Sequence, residues 1–127
     1  MSYYIAKTVS GDFDDVIARV TEALKAEGFG VLTEIDVKAT LKKKLDVDFR
    51  PYRILGACNP EMAHQALSIE DKIGVMLPCN VIVQQTDKGV EVAAVDPVAS
   101  IGRVGNPALD EAAQTVKAML TKVIERV

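Results

Sequence analysis

Two cysteines and one histidine are the side chains of this chain best suited to chemistry. Cys58 directly precedes Asn59-Pro60, a strong helix start, and the positive end of a helix dipole favours a thiolate at such a position. Cys79 opens a predicted strand, and His64 lies about one and a half turns inside the predicted helix. If the strands that flank this helix are antiparallel neighbours, Cys58 and Cys79 meet at one edge of the sheet, and His64 could join them. A reactive thiol pair, a two-thiolate soft-metal site or a persulfide carrier would fit that arrangement.

The alternative is that these residues serve packing. The chain has no Cys-x-x-Cys motif, and the 20 residues between the cysteines match no zinc spacing. Free cysteines are among the most buried residue types and pack as small hydrophobes, and His64 lies among apolar neighbours as a surface or core histidine often does. We therefore predict no resident cofactor and keep a soft metal ion as the alternative.

A local excess of positive charge is the second candidate site, for an anion or a partner. Its residues are Lys42, Lys43, Lys44, Arg50 and Arg53. Such a cluster could hold a phosphate, an acidic partner or RNA, although a lysine run is more often the solvated face of a short helix. The net charge of −3 and the pI near 5.1 argue against general binding to nucleic acids or anionic membranes.

Length and composition indicate one globular domain over residues 1–127, because 49% hydrophobic and 26% charged residues supply ample material for a core. The N-terminal residues lack a signal-peptide pattern, and no apolar run approaches the roughly 20 residues of a membrane span. We expect a cytoplasmic protein with reduced thiols. No Gly-rich phosphate loop, nucleophile elbow or paired carboxylates occur, which disfavours an enzyme.

A β-hairpin is the most specific structural feature of the sequence. It lies within the apolar run 73–97, where Asn80–Gln85 alternates around Val81 and Val83 and the return run alternates from Val90. Asp87-Lys88-Gly89 joins the two runs, and glycine supplies the positive φ that a short hairpin loop usually requires. The pattern predicts two antiparallel neighbours that end at Asp96-Pro97.

The remaining pattern predicts a strand, a helix, four more strands with short helices inserted, and a long final helix. The predicted strands are residues 3–9, 30–36 and 52–57, together with the two strands of the hairpin. Four helices are predicted: a long one that begins near Phe13 and ends at Gly28, a lysine-rich one after Asp36, a short one over 60–67, and the longest one after Asn106-Pro107.

Two long amphipathic helices are too few to cover both faces of a five-stranded sheet. We therefore expect a two-layer α+β domain whose mostly antiparallel sheet is covered on one face. If Val81 and Val83 face the helices, Ile82 and Ile54 face away. A half-apolar open face of this kind is a candidate dimer surface; the alternative is a partly wet face with scattered apolar residues.

Several short motifs in order resemble the signature of the bacterial and archaeal family known as domain of unknown function 302. They are Asp36–Leu41, Tyr52–Pro60, Ile73-Gly74, Leu77–Val81 and Asp96-Pro97. The resemblance spans nearly the whole chain and implies an α+β fold related to the TATA-binding-protein-like architecture, with strand, helix, four strands and helix in order, and homodimers. It implies no activity.

Three functions remain open. The favoured one is a homodimeric binding module for a small ligand or a protein partner. The second is thiol, sulfur or soft-metal handling through Cys58 and Cys79. The third is nucleic-acid binding through the basic segment 38–53, which rests on the fold analogy alone and is disfavoured by the acidic charge and the 5% aromatic content.

Overall fold

The computed structural model of the protein describes residues 2–127 and contains one five-stranded sheet with helices on one face. The strands are β1 (Tyr4–Val9), β2 (Gly30–Asp36), β3 (Tyr52–Cys58), β4 (Cys79–Thr86) and β5 (Gly89–Val95). The α-helices are α1 (Phe13–Ala26), α2 (Val37–Leu45), α3 (Pro60–Ile69), α4 (Pro97–Ser100) and α5 (Asp110–Arg126), and 3-10 helices occupy Asp71–Met76, Ile101–Val104 and Pro107–Leu109. The two-layer α+β prediction is confirmed.

The sheet has the strand order β1-β5-β4-β3-β2, and every neighbouring pair is antiparallel. The predicted hairpin is β4-β5, in which Thr86 pairs with Gly89 across Asp87-Lys88. Gly89 has a φ of 137°, and a Cβ at this position would lie 2.7 Å from the carbonyl oxygen of Val9. Glycine therefore allows both the turn and the close approach of β1.

Helices α1 and α5 cover one face of the sheet, because each presents an apolar stripe to it. On the sheet side, Leu55, Val81, Val83 and Val92 are almost completely buried. The main core also contains Leu24 of α1, and the buried residues of α5 are Ala113, Val116, Leu120, Val123 and Ile124. Alternation along β4 leaves Ile82 on the other face, as predicted.

The stretch between β3 and β4 differs most from the sequence prediction. Helix α3 ends at Ile69 rather than at residue 67, and the apolar run that starts at Ile73 forms part of a 3-10 helix before it reaches β4. Ile73 is buried in a second, smaller cluster with Ala66, Ile101, Leu109 and Ala113. Burial against α5 therefore decides the conformation of a run whose local pattern did not specify it.

Asparagine caps two of the helix starts that the sequence indicated. The Asn59 Oδ1 accepts a hydrogen bond from the backbone N–H of Met62 at 3.2 Å, and the Asn106 Oδ1 accepts one from the N–H of Ala108 at 3.0 Å. The second start opens a 3-10 turn at Pro107, and α5 itself begins at Asp110. Among residues 2–127, no helix has the length and hydrophobicity that a membrane crossing requires.

Candidate functional site

The two cysteines lie at the same end of the sheet. Cys58 is the last residue of β3, Cys79 is the first of β4, and the register pairs Cys79 with Ala57, the residue before Cys58. Both cysteines line a cavity of about 30 Å³ between this end of the sheet, α3 and α5. The fold therefore brings together two cysteines with 20 residues between them along the chain, but alternation along β3 directs the side chains of Cys58 and Cys79 to opposite faces of the sheet.

The cavity is small and almost entirely apolar. Its walls include Phe29, Ala66, Leu77 and Val116, and its volume suffices for about one or two water molecules. Asn59 also lines it, but the side-chain oxygen of Asn59 is already engaged as the cap of α3. A site of this size excludes an organic ligand and leaves room for a single ion or a few atoms.

Met62 is the residue of this cavity that the sequence analysis missed. It lies in the first turn of α3 and lines the cavity together with both cysteines. Its position was available from the sequence, because Met62 is the third residue of the helix that starts at Pro60 and only Asn59 separates that helix from the end of β3.

His64 does not join this group. It is exposed on α3 and is not among the residues that line the cavity, because two further residues rotate a side chain by about 200° around the helix relative to Met62. Within the described part of the chain, no cluster of three or more His, Cys, Asp or Glu residues has a geometry that could hold a metal ion.

Burial changes the acidity of Cys79. Desolvation, with a smaller contribution from the charge of Cys58, raises the pKa of Cys79 from an ordinary 9.0 to about 11. Cys79 is 8% exposed and lies in the main core cluster. At neutral pH, in the absence of a metal ion, Cys79 is therefore a protonated thiol that packs as a small hydrophobe.

This shift predicts a pH-dependent stability. Since the folded-state pKa of Cys79 is raised, the folded protein retains a proton that the unfolded chain loses above pH 9.0. The stabilisation is complete below pH 9.0 and is lost as the pH rises to about 11, with a total loss of about 2 to 3 kcal/mol. Urea unfolding of the wild type and of Cys79→Ala at a series of pH values measures it. The free energies of unfolding of the two proteins should differ in their dependence on pH only between pH 9.0 and about pH 11. Parallel plots of these free energies against pH across that range would contradict the expectation.

The basic residues predicted to contact an anion are spread over three elements. They are Lys42, Lys43 and Lys44 on α2, Arg50 in the loop that follows, and Arg53 on β3. The Nζ of Lys42 lies 2.9 Å from a carboxylate oxygen of Asp46, and the Nη1 of Arg53 lies 2.6 Å from one of Glu34. These carboxylates lower the positive potential of the segment and weaken the argument for an anion site.

On the open face of the sheet, the register places one apolar residue from each strand in a single row. In strand order the row runs through Ala6, Ala93, Ile82, Ile54 and Ile35. Ile35, on the edge strand β2, is 47% exposed. The row crosses the whole sheet and has no helix above it.

Polar side chains beside this row bond to one another. The Nε of Arg50 donates to the Oε1 of Gln84 at 2.9 Å, and the Nε2 of Gln84 donates to the Oε1 of Glu91 at 2.8 Å. The guanidinium of Arg50 also lies 4.4 Å from the ring centroid of Phe49 and 5.7 Å from that of Tyr52. This end of the face is an ordered polar border.

A groove of about 460 Å³ lies on the same face. Its floor contains Ile82 and Ala93, and its walls include Tyr3, Tyr4, Tyr52, Asn80, Gln84 and Glu91. An apolar floor with aromatic rings and a few hydrogen-bonding groups is typical of a small-molecule site.

Comparison with known proteins identifies relatives of unknown activity. The family model described as "Domain of unknown function DUF302" matches residues 5–127. The chain is similar to the solved structure described as "Crystal structure of uncharacterized conserved protein DUF302 from Bacillus stearothermophilus", with 32% sequence identity, a TM-score of 0.93, and coverage of 99% of this chain and 98% of that one. The search of curated proteins found no match. The chain therefore belongs to the DUF302 family.

Proposed function

We propose that the protein is a homodimeric binding module in which two copies join through their open sheet faces and hold a small molecule in the groove at that interface. The observation that carries the proposal is the apolar row from Ala6 to Ile35, which spans all five strands without a covering layer. Apolar surface that is continuous across a sheet favours association, because its burial removes it from water.

The polar border of the face is compatible with burial. Gln84 accepts a hydrogen bond from Arg50 and donates one to Glu91, so these side chains already have partners within one chain. A buried polar group without a partner would oppose association. The Arg50–Gln84–Glu91 chain of hydrogen bonds removes much of that cost.

We propose that helix α2 adds to the interface beyond the sheet itself. Five strands of about seven residues cover a flat area of roughly 550 Å², whereas a stable interface buries about 800 Å² of accessible surface on each partner. Helix α2 has no buried residue, and Leu45 at its end is 66% exposed, with Val47 beyond it 43% exposed. Helix α2 is held by β2 and β3 of its own chain, and its exposed apolar residues would supply the missing area.

The proposal predicts that Ile82→Glu dissociates the dimer. A carboxylate at the centre of the row would be buried without a cation, and we expect the dimer dissociation constant to rise at least about 100-fold, equivalent to a loss of about 2.7 kcal/mol. Ala18→Glu is the matched control, because Ala18 is exposed on α1 in the other layer. Native mass spectrometry and sedimentation at tens of micromolar protein measure the assembly and any bound small molecule together.

Four outcomes separate the parts of the proposal. A dimeric wild type and Ala18→Glu with a monomeric, folded Ile82→Glu support assembly through the open face. A monomeric wild type at these concentrations contradicts it, and so does an Ile82→Glu variant that is folded and still dimeric. A dimer that never carries a small molecule, even after incubation with a chemically diverse compound set, would remove the ligand part and leave the assembly.

A further inference from the structure

We propose that the ligand of the groove on the open sheet face is an aromatic amine, a flat ring system that carries an ammonium group on a short chain. This inference rests on the proposed function, because it names the class of small molecule that the groove holds. Among the described residues that line the groove, Glu91 is the only one with a charge, and a negative charge selects a cation.

The carboxylate of Glu91 has no ionic partner within the described chain. Its Oε1 accepts a hydrogen bond from the Nε2 of Gln84 at 2.8 Å, and no lysine or arginine among residues 2–127 forms an ion pair with it. Arg50 is linked to it only through the amide of Gln84, which separates the two charges. An ammonium group can therefore add a charge-assisted hydrogen bond that the fold leaves unmade.

Burial at the dimer interface would strengthen this preference. Glu91 is half-buried in the single chain, and a second copy over the sheet face would remove more of its water. An unpaired carboxylate is costly in such a place, whereas a carboxylate paired with a cation is less so. A cationic ligand therefore suits both the groove and the assembly.

The opposite end of the groove is aromatic. The register pairs Tyr4 with Val95, which lies four residues beyond Glu91 on β5, so the two ends are about 13 Å apart along the strands. The rings of Tyr3 and Tyr4 have centroids 5.1 Å apart and an angle of 77° between their planes, and both residues are exposed. Two rings at this angle present π faces in two directions, so a flat ligand can stack on one ring and pack edge-on against the other.

Small residues keep the space between the two ends open. Ala93 lies midway between Glu91 and Val95 on the floor of the groove, beside Ile82 of β4 and Ala6 of β1. Larger side chains at the alanine positions would fill this part of the face. A fused ring with a two-carbon chain can therefore lie on the floor and reach from the tyrosines to the carboxylate.

Three indole compounds test the charge preference. Tryptamine carries an ammonium group, tryptophol has the same skeleton with a hydroxyl in its place, and indole-3-acetate carries a carboxylate. Because the chain contains no tryptophan, the fluorescence anisotropy of the indole reports binding of the probe directly. We expect the wild type to bind tryptamine at least about tenfold more tightly than tryptophol, and to bind indole-3-acetate more weakly than either.

Two variants separate the contributions of charge and stacking. Glu91→Gln keeps an oxygen for Gln84 but removes the charge, so it should bind tryptamine no more tightly than tryptophol. Tyr4→Ala should weaken the binding of both compounds alike, by about three- to tenfold. Glu125→Gln is the matched control, because it removes an exposed carboxylate from α5 in the other layer and should keep the full preference. Far-ultraviolet circular dichroism checks that each variant is folded.

The amine proposal and the dimer can fail separately. A wild type that binds no tryptamine, or binds tryptophol equally well, overturns the amine proposal, and so does a folded Glu91→Gln variant that keeps the preference. Sedimentation of the same samples tests the assembly. A dimer without tryptamine binding contradicts this inference and leaves the homodimer, whereas a monomer that binds tryptamine through Glu91 supports the amine site and contradicts the dimer.

Discussion

Replacing Leu120 by alanine should lower the free energy of unfolding by about 3 to 5 kcal/mol. Leu120 is completely buried in the main core, and it lies on α5, the longest helix, which also contributes Ala113 to the second cluster. The loss combines the transfer of the removed methyl groups with the cavity left behind in a packed interior. Against a total stability of about 5 to 15 kcal/mol, the change is severe.

Urea unfolding followed by far-ultraviolet circular dichroism measures this loss, at one fixed protein concentration because association contributes to the apparent stability. Leu67→Ala is the matched control: Leu67 is 43% exposed on α3, so its truncation should cost less than about 1 kcal/mol. Equal losses in the two variants would contradict the burial of Leu120.

Replacing Asp96 by alanine should destabilise the protein by about 2 to 3 kcal/mol. Asp96 is 8% exposed and is the buried charged residue at the end of β5. Its Oδ1 accepts a hydrogen bond from the N–H of Val98 at 2.9 Å, and its Oδ2 lies 3.1 Å from the Nζ of Lys117. The side chain thus caps α4 and ties it to α5. The loss stays below that of a fully buried ion pair because Lys117, 41% exposed in its side chain, can return to water.

Asp96→Asn separates the two contributions. Asparagine keeps an oxygen for the cap but removes the charge opposite Lys117, so this variant should lose only about 1 kcal/mol. The same urea unfolding measurement compares the two variants. If Asp96→Asn is as destabilised as Asp96→Ala, the charge rather than the cap accounts for the effect.

The hairpin and most helix ends could be predicted from the sequence because their causes are local. Gly89 allows the positive φ of the turn, Asn59 and Pro60 start α3, and alternation assigns Val81 and Ile82 to opposite faces. Each of these signals lies within a few residues of the structure it produces.

The residues that line the cavity could be predicted only in part from the sequence. The order of the elements indicated that Cys58 and Cys79 lie near one another, but the choice between Met62 and His64 depends on how α3 is rotated against the sheet. That rotation follows from the packing of Ala66 and Ile73 into the second cluster. Contacts that are distant in sequence, including Ile101 and Leu109, therefore decide which residues of α3 line the cavity.

The sequence by itself determined the strand, helix, four strands and helix order and which side of each strand is apolar, because periodicity and capping are properties of neighbouring residues. The tertiary structure alone decided that β1 lies beside β5 at one edge, since that pairing joins residues from opposite parts of the chain. The same register aligned Ala6 with Ala93 and extended the apolar row across the sheet. A strand pattern specifies a face, whereas only the pairing of all five strands specifies a continuous surface.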